Sequence, residues 1–342
     1  MASLLGIPAS LASLQARIDG ALARVERRFD AQLASDLPPV SRLVAHVEHY
    51  RGKMLRPTLV MACGLAGGRG TEPELTDAHA TIAAVCEMVH MATLVHDDVL
   101  DDADTRRRGR TVNRLYGNEA AVILGDYLIA SAYHLCSQLD SQAAALLIGR
   151  VSMTTCAGEL LQLDHRGDFS LDEPAYFEIV QRKTAALISA ACRLGAWASG
   201  ADEEACLRLE RFGRDTGVAF QIQDDVLDLV GDEAVVGKST GKDLEKGKLT
   251  LPIILHLNGC SPVERGRSLL LLERASGADA AGRREAAARL VARLESTGSI
   301  GEARRCAANL VERAKGELAG LPESPARLYL LAMADALVNR AV

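Results

Sequence analysis

Two stretches of this chain carry the same acidic spelling, Asp97-Asp98-Val99-Leu100-Asp101 and Asp224-Asp225-Val226-Leu227-Asp228. Each closes an apolar run that reads as helix, and basic residues follow each one. Residues four apart stand one turn above each other on a helix, so Asp97 shares a face with Asp101, and Asp224 with Asp228. Like charges at that spacing cost a helix about 0.2–0.5 kcal/mol per pair. A chain that accepts this twice implies cations to offset it. The donors are hard oxygens with no His or Cys among them, which suits magnesium, and magnesium commonly bridges protein carboxylates to substrate phosphates. One such cassette alone reads as a solvated acidic helix end. Two, in apolar contexts with basic neighbours, point to a magnesium-dependent enzyme acting on a phosphorylated substrate.

A diphosphate also needs direct cationic donors. Gly52-Lys53-Met54-Leu55-Arg56-Pro57 places Lys53 and Arg56 at a helix start, where free backbone N–H groups add to the side-chain charge. Arg106-Arg107-Arg108-Gly109 lies just past the first cassette, and arginine forks suit phosphate oxygens. Lys183-Thr184 sits inside an apolar helix, where a core-facing lysine requires a partner. Lys238, Lys242 and Lys248 punctuate the stretch after the second cassette. Singly, each of these reads as a surface charge. Grouped around two acidic cassettes, Lys53, Arg56, Arg106, Arg107, Lys183 and Lys238 read as phosphate grips.

The elements that must position these groups are helices. Of 342 residues, 48% are hydrophobic and only 4% aromatic, which favours helix over a β-sandwich. The net charge of −6 argues against a general nucleic-acid binder. Leu11, Leu14, Ile18, Leu22, Val25, Phe29 and Leu33 recur at helical spacing, ending before Pro38-Pro39. Ser41 is read as the cap of a second helix running toward Tyr50. Arg51-Gly52-Lys53 breaks it, and Pro57 starts the next. Thr76 or Asp77 opens a long helix through Val99, and Asp104–Gly109 reads as a charged loop. Further helices are predicted over 118–138, 141–164, 174–199 and 203–230. Residues 231–247 read as a loop, Pro252 starts another helix, and two or three helices finish the chain. No strand is predicted. The eight cysteines form no Cys-x-x-Cys pair, so they read as small buried hydrophobes in a reducing compartment and not as a zinc site. The first residues lack a secretory pattern, and no span is read as reaching the roughly 20 apolar residues of a membrane helix. A soluble, cytoplasmic protein is expected, with peripheral membrane contact if its product is a lipid.

These strings together resemble the trans-isoprenyl diphosphate synthases, the polyprenyl synthetase family. They are Gly52-Lys53-x-x-Arg56-Pro57, His96-Asp97-Asp98-x-x-Asp101 with Arg106-Arg107, Gly125-Asp126, Lys183-Thr184, Phe220-Gln221-x-x-Asp224-Asp225-x-x-Asp228, and Gly237-Lys238-x-x-Gly241-Lys242-Asp243. They stand in the family's order over about residues 40 to 255. The resemblance implies an all-α fold of antiparallel helices around a deep central cavity. It implies one domain over 1–342, with residues 1–40 as an N-terminal helical segment. The implied reaction is head-to-tail condensation of isopentenyl diphosphate with an allylic diphosphate. By the same resemblance, Asp97 and Asp101 hold two magnesium ions and Asp224 a third, with Asp98, Asp225 and Asp228 in support. Arg106, Lys183 and Lys238 match the grip on the allylic diphosphate. Lys53, Arg56, His90 and Arg107 match the grip on isopentenyl diphosphate, and Lys248 joins the substrate-binding set. Thr184 and Gln221 match polar groups beside a developing carbocation. A homodimer is expected by analogy.

Two departures stand out. Met54 replaces a residue that is often basic in the family. The extra arginine leaves two counts open: from Asp97 it selects Arg106 and Arg107, and from Gly109 it selects Arg107 and Arg108. Product length is expected to follow from Ala92 and Thr93, both small, and from Met88, Val89 and Val85 deeper on the same helix, none of them aromatic. They point to a product longer than farnesyl. A short-chain product stays open if another helix supplies the floor, for instance through Tyr133. A type I terpene cyclase would usually lack the second full cassette and the Lys53/Arg56 pair. A non-catalytic partner subunit should have lost some cassette carboxylates.

Overall fold

Leu14, Ile18, Leu22, Val25, Phe29 and Leu33 are all buried, on a helix α1 that spans Ala12–Leu33. The structure is a computed structural model that describes residues 8–68, 73–106, 109–231, 241–277 and 279–338. Helices α2 (Pro38–Val47), α3 (Leu55–Gly67) and α4 (Asp77–Leu100) follow. The second helix opens on Pro38-Pro39 and not at Ser41, because proline needs no N–H in a first turn. The Ser41 hydroxyl instead donates back to the carbonyls of Ser35 and Leu37.

The predicted charged loop after α4 contains a two-residue ladder, β1 (Thr105–Arg106) against β2 (Gly109–Arg110), antiparallel with Thr105 opposite Arg110. Then come α5 (Val112–Tyr116), α6 (Asn118–Cys136) and α7 (Gln142–Asp164). The helix predicted over 174–199 is three pieces: α8 (Glu173–Val180), a π-helical turn (Gln181–Ala185) and α9 (Ala186–Ala198). Helix α10 covers Glu203–Val230. The described remainder is α11 (Lys242–Glu245), α12 (Leu251–Gly259), α13 (Pro262–Ala275), α14 (Ala280–Thr297), α15 (Ser299–Leu318) and α16 (Pro325–Val338). The eight cysteines are free, and five are buried.

The chain divides into two compact units that no single cut separates: 1–153, 187–213 and 315–333 form the first, and 154–186, 214–314 and 334–342 the second. In the first unit α4 is the core helix, packed by α1, α3 and α6. Gly195 on α9 lies so close to α3 that a Cβ would stand 2.3 Å from the Val60 carbonyl oxygen. In the second unit α13 packs on α14, and α12 packs on both α8 and α14.

Among the described residues, two helices, α4 and α7, are long and apolar enough to cross a membrane by length and composition, where the sequence reading expects none. The apolar window of α4 is 78% buried inside the protein, as befits a core helix, whereas that of α7 is 28% buried.

The α4 N-terminus depends on an unusual cap. The Thr76 backbone N–H donates to His79 Nδ1 at 3.0 Å, which puts the neutral ring's proton on Nε2, 2.8 Å from Ser199 Oγ. Burial pulls the His79 pKa down to about 4. The folded pKa lies below the unfolded value, so His79 stabilises the fold fully above about pH 6.5, and that stability is lost as pH falls through 4. The shift corresponds to on the order of 3 kcal/mol. The thermal midpoint should therefore drop as pH is lowered from 6.5 toward 4, and His79→Gln should flatten part of that slope. Equal slopes in the two proteins would remove this residue from the account.

Candidate active site

In the first unit, the first cassette caps the last turn of α4. Asp97 and Asp98 lie within the helix, Asp101 is its C-cap, and Asp102 turns left-handed (φ 45°) to stop it. Asp98 is completely buried. Its carboxylate takes a hydrogen bond from Tyr50 Oη at 2.8 Å and a fork from Arg106, with Nε at 2.9 Å and Nη2 at 2.7 Å from Oδ1. Burial lowers the Arg106 pKa, but the bond and charge of Asp98 more than reverse this. Tyr50 Oη also accepts the Val112 backbone N–H at 3.0 Å, and burial beside Asp98 pushes its pKa up. Thr111 and Asn113 tie the following turn to the Ala103 carbonyl.

Lys53 and Arg56 flank the start of α3, as read from sequence. Between them Met54 is buried and left-handed (φ 49°), a conformation that costs a non-glycine residue about 1–2 kcal/mol. Its side chain points inward, so it offers nothing to a phosphate. Burial pulls the Arg56 pKa down, the charge of buried Glu87 opposes this, and Arg56 Nε is buried without a hydrogen-bond partner. His90 is half-buried on α4, one turn after Glu87. Met88, Val89 and Ala92 are buried in the α4 interior, while Thr93 is half-buried with its hydroxyl on the His90 carbonyl. Tyr133 is exposed.

The Gly125-Asp126 string finds its reason in His96. A Cβ at Gly125 would stand 2.1 Å from His96 Nε2, so only glycine lets the ring lie against α6. There it meets the Val122 carbonyl at 3.1 Å and Asp126 at 3.5 Å.

In the second unit, the second cassette lies in the last turns of α10. Buried Asp225 accepts from Tyr176 Oη at 2.6 Å and from Gln221 Nε2 at 2.8 Å, and Gln221 Oε1 accepts from the Thr184 hydroxyl at 2.9 Å. Burial, with Asp243 nearby, pushes the Asp225 carboxyl up to about 8 against the pull of those two hydrogen bonds. Asp228 fastens the chain that returns to it, accepting the backbone N–H groups of Lys242 and Asp243. One cavity is lined by Lys183, Thr184, Gln221, Asp225, Asp243 and Lys248, with Tyr176 in its wall. Asp224 is outside that lining. Lys183 pairs with Glu159 of α7. Gly158 permits this approach, since a Cβ there would lie 2.6 Å from the Lys183 nitrogen. Lys183 and Thr184 stand in the π-helical turn, a local form frequent at functional sites. Arg107, Arg108 and Lys238 lie outside the described residues.

The sequence reading gave no site role to Tyr50, Tyr176, Glu159 or Asp243, the last quoted only as the end of a family string, and it did not find the π turn. A signal existed for two of them. Tyr176 sits seven residues before Lys183, two turns along the same face. Glu159 was readable as an acid on an apolar helix, and nothing in Gln181–Ala185 spells a π turn.

Among the described residues, no three acidic, histidine or cysteine side chains converge into a self-contained cation cage. The donors suit magnesium instead, which is usually held by one or two carboxylates together with substrate phosphates.

The chain matches the model of the polyprenyl synthetase family over residues 38–288. It is 34% identical to the nonaprenyl diphosphate synthase of Mycobacterium tuberculosis over 98% of this chain and 97% of that protein. It is 33% identical to the short chain isoprenyl diphosphate synthase of Methanothermobacter thermautotrophicus, over 90% of this chain and 92% of that one. A polyprenyl synthase from Caulobacter crescentus, solved with calcium and isoprenyl diphosphate, superposes with a TM-score of 0.85 at 33% identity, covering 95% of this chain and 98% of that one. The chain belongs to the polyprenyl synthetase family, and it is a prenyltransferase with an all-α fold.

The role given to Gly125 has a direct check. Gly125→Val should displace the His96 ring from both partners and destabilise the protein by roughly 1–3 kcal/mol in urea unfolding. Gly149→Ala, where nothing lies within 4 Å of the added carbon, should not.

Proposed function

We propose that this chain joins isopentenyl diphosphate head to tail to an allylic diphosphate, giving a trans-polyprenyl diphosphate longer than farnesyl. The observation that carries this reading is the arrangement of carboxylates. Each cassette turns its second aspartate into the protein and keeps its first and third on one flank of the helix. Asp97 and Asp101 on one cassette, and Asp224 on the other, are the residues that would hold magnesium, three ions per site. Bound there, magnesium would neutralise the charge that builds on a leaving diphosphate.

The chain's own residues do the rest. Arg106, Lys183 and Lys238 hold the allylic diphosphate while its C–O bond breaks, and their charge matters most as the leaving group becomes more anionic. Arg106 spends Nε and Nη2 on Asp98, which leaves the Nη1 donors for a phosphate. Lys53, Arg56, His90 and Arg107 hold isopentenyl diphosphate, with Lys248 adding charge beside Lys183. The double bond of isopentenyl diphosphate attacks the allylic carbon, a C–C bond forms, and the proton lost goes to the departing diphosphate. The linked oxygens of Thr184 and Gln221 stand by the developing cation. A single domain over residues 1–342, with 1–40 as an N-terminal helical segment, is part of the same reading.

Two copies of the chain are proposed to pair. In the first unit Ile123, Leu146 and Met153 are exposed at 66, 62 and 74%, more apolar side chain than α6 and α7 would leave in water without a partner. The longer product follows from Ala92 and Thr93, which present no ring below the first cassette. The relatives span short and long products, so these residues, and not overall similarity, carry the assignment of length.

The reading is tested by activity. Asp97→Ala, Asp101→Ala and Asp224→Ala should each reduce turnover by roughly 10²–10³, and a chelator should abolish it. Undiminished turnover in chelator by folded protein would refute the magnesium role. Ala92→Phe should shorten the product while the first condensation survives. Chromatography would read the length, and circular dichroism would confirm the fold. An unchanged product from a folded variant would show that another helix sets the floor.

A further inference from the structure

Each cassette has a tyrosine that the reaction above does not use. Tyr50 Oη lies 2.8 Å from Asp98 Oδ2, and Tyr176 Oη lies 2.6 Å from Asp225 Oδ2. All four residues are buried. The two tyrosines come from different parts of the sequence, a 3-10 turn at Glu48–Tyr50 and helix α8, yet each meets the second aspartate of its cassette. A buried hydroxyl–carboxylate contact of this length is strong and directional.

Helix geometry says what the contact fixes. Successive residues are about 100° apart around the axis, from 3.6 residues per turn. With the second aspartate locked inward, the first lies about 100° to one side of it, and the third, three residues on, about 60° to that same side. Holding one carboxylate therefore aims the other two.

We propose that Tyr50 and Tyr176 are positioning residues, each of which sets the rotation of one acidic cassette by holding its second carboxylate inside the protein. The proposal rests on the reading that the cassettes bind magnesium with a diphosphate. The two clamps are built differently. Asp98 has the Arg106 guanidinium as well as Tyr50, while the described hydrogen-bond partners of Asp225 are the neutral Tyr176 and Gln221. Among the described residues Tyr176 is thus one of two donors to its carboxylate, with no arginine fork beside it, and its loss is the more damaging.

The test is calorimetric titration of magnesium into the full-length protein with a non-ionisable allylic thiolodiphosphate, alongside steady-state kinetics. Tyr176→Phe should weaken magnesium binding roughly tenfold or more, within the range usual when a partner behind a metal ligand is lost. Tyr50→Phe should weaken it less. The KM for isopentenyl diphosphate should stay within about twofold in both, a split that general loosening of the fold would not produce. Wild-type magnesium affinity in folded Tyr176→Phe would overturn the proposal. If that variant does not fold, Asp225→Asn decides the matter, because its amide oxygen can still accept from Tyr176 while the Gln221 amide turns to accept from the new N–H and donates to the Thr184 hydroxyl. Positioning predicts magnesium affinity near wild type for Asp225→Asn and a severe loss for Asp224→Asn. Equal losses would make Asp225 a direct ligand and overturn the proposal. Absence of any magnesium-dependent binding in the wild type would instead refute the underlying reading, and this proposal with it.

Discussion

The inward turn of one carboxylate in each acidic cassette is the constraint on which the rest of the site depends. A carboxylate inside a protein must be satisfied by hydrogen bonds or charge, because burial strips it of water. Asp98 is satisfied by Tyr50 and the Arg106 fork, and Asp225 by Tyr176 and Gln221. Those partners fix the segments around them in turn. Tyr50 reaches the start of α5, Gln221 reaches the π turn, and Asp228 gathers the backbone that returns after α10. The cassette is therefore a buried anchor with a polar flank, which differs from a run of solvated acids.

The two anchors are electrostatically unlike. The first has a permanent cation, the Arg106 guanidinium forked on Asp98. The second has none among its described hydrogen-bond partners, and burial together with Asp243 pushes the Asp225 carboxyl up to about 8.

Much of this was legible in the sequence. The period of Leu14 through Leu33 gave α1, Thr76 gave the start of α4, and the cassettes gave the helix ends that carry the chemistry. The family strings gave the order in which these elements appear. What was hidden has physical reasons. Proline at N1 and N2 outweighed the capping preference of Ser41, so α2 begins four residues early. A π turn is a change of hydrogen-bond register that the same residues could make or not, and the close approach at Gly158 belongs to tertiary packing. Tyr50 and Tyr176 look like ordinary aromatic core residues until their hydroxyls are traced. No span reads from sequence as long and apolar enough for a membrane, but the charges of α7 are few enough to leave a long apolar window, and much of that window is exposed.

The central claim is that each cassette presents its first and third carboxylates because its second is held inside. A crystal structure with magnesium and a non-ionisable allylic thiolodiphosphate tests it most directly. The account predicts magnesium at about 2.1 Å from oxygens of Asp97, Asp101 and Asp224, with Asp98 still on Tyr50 and Asp225 still on Tyr176. Magnesium bound directly to Asp98 or Asp225, with the tyrosine contact broken, would contradict it.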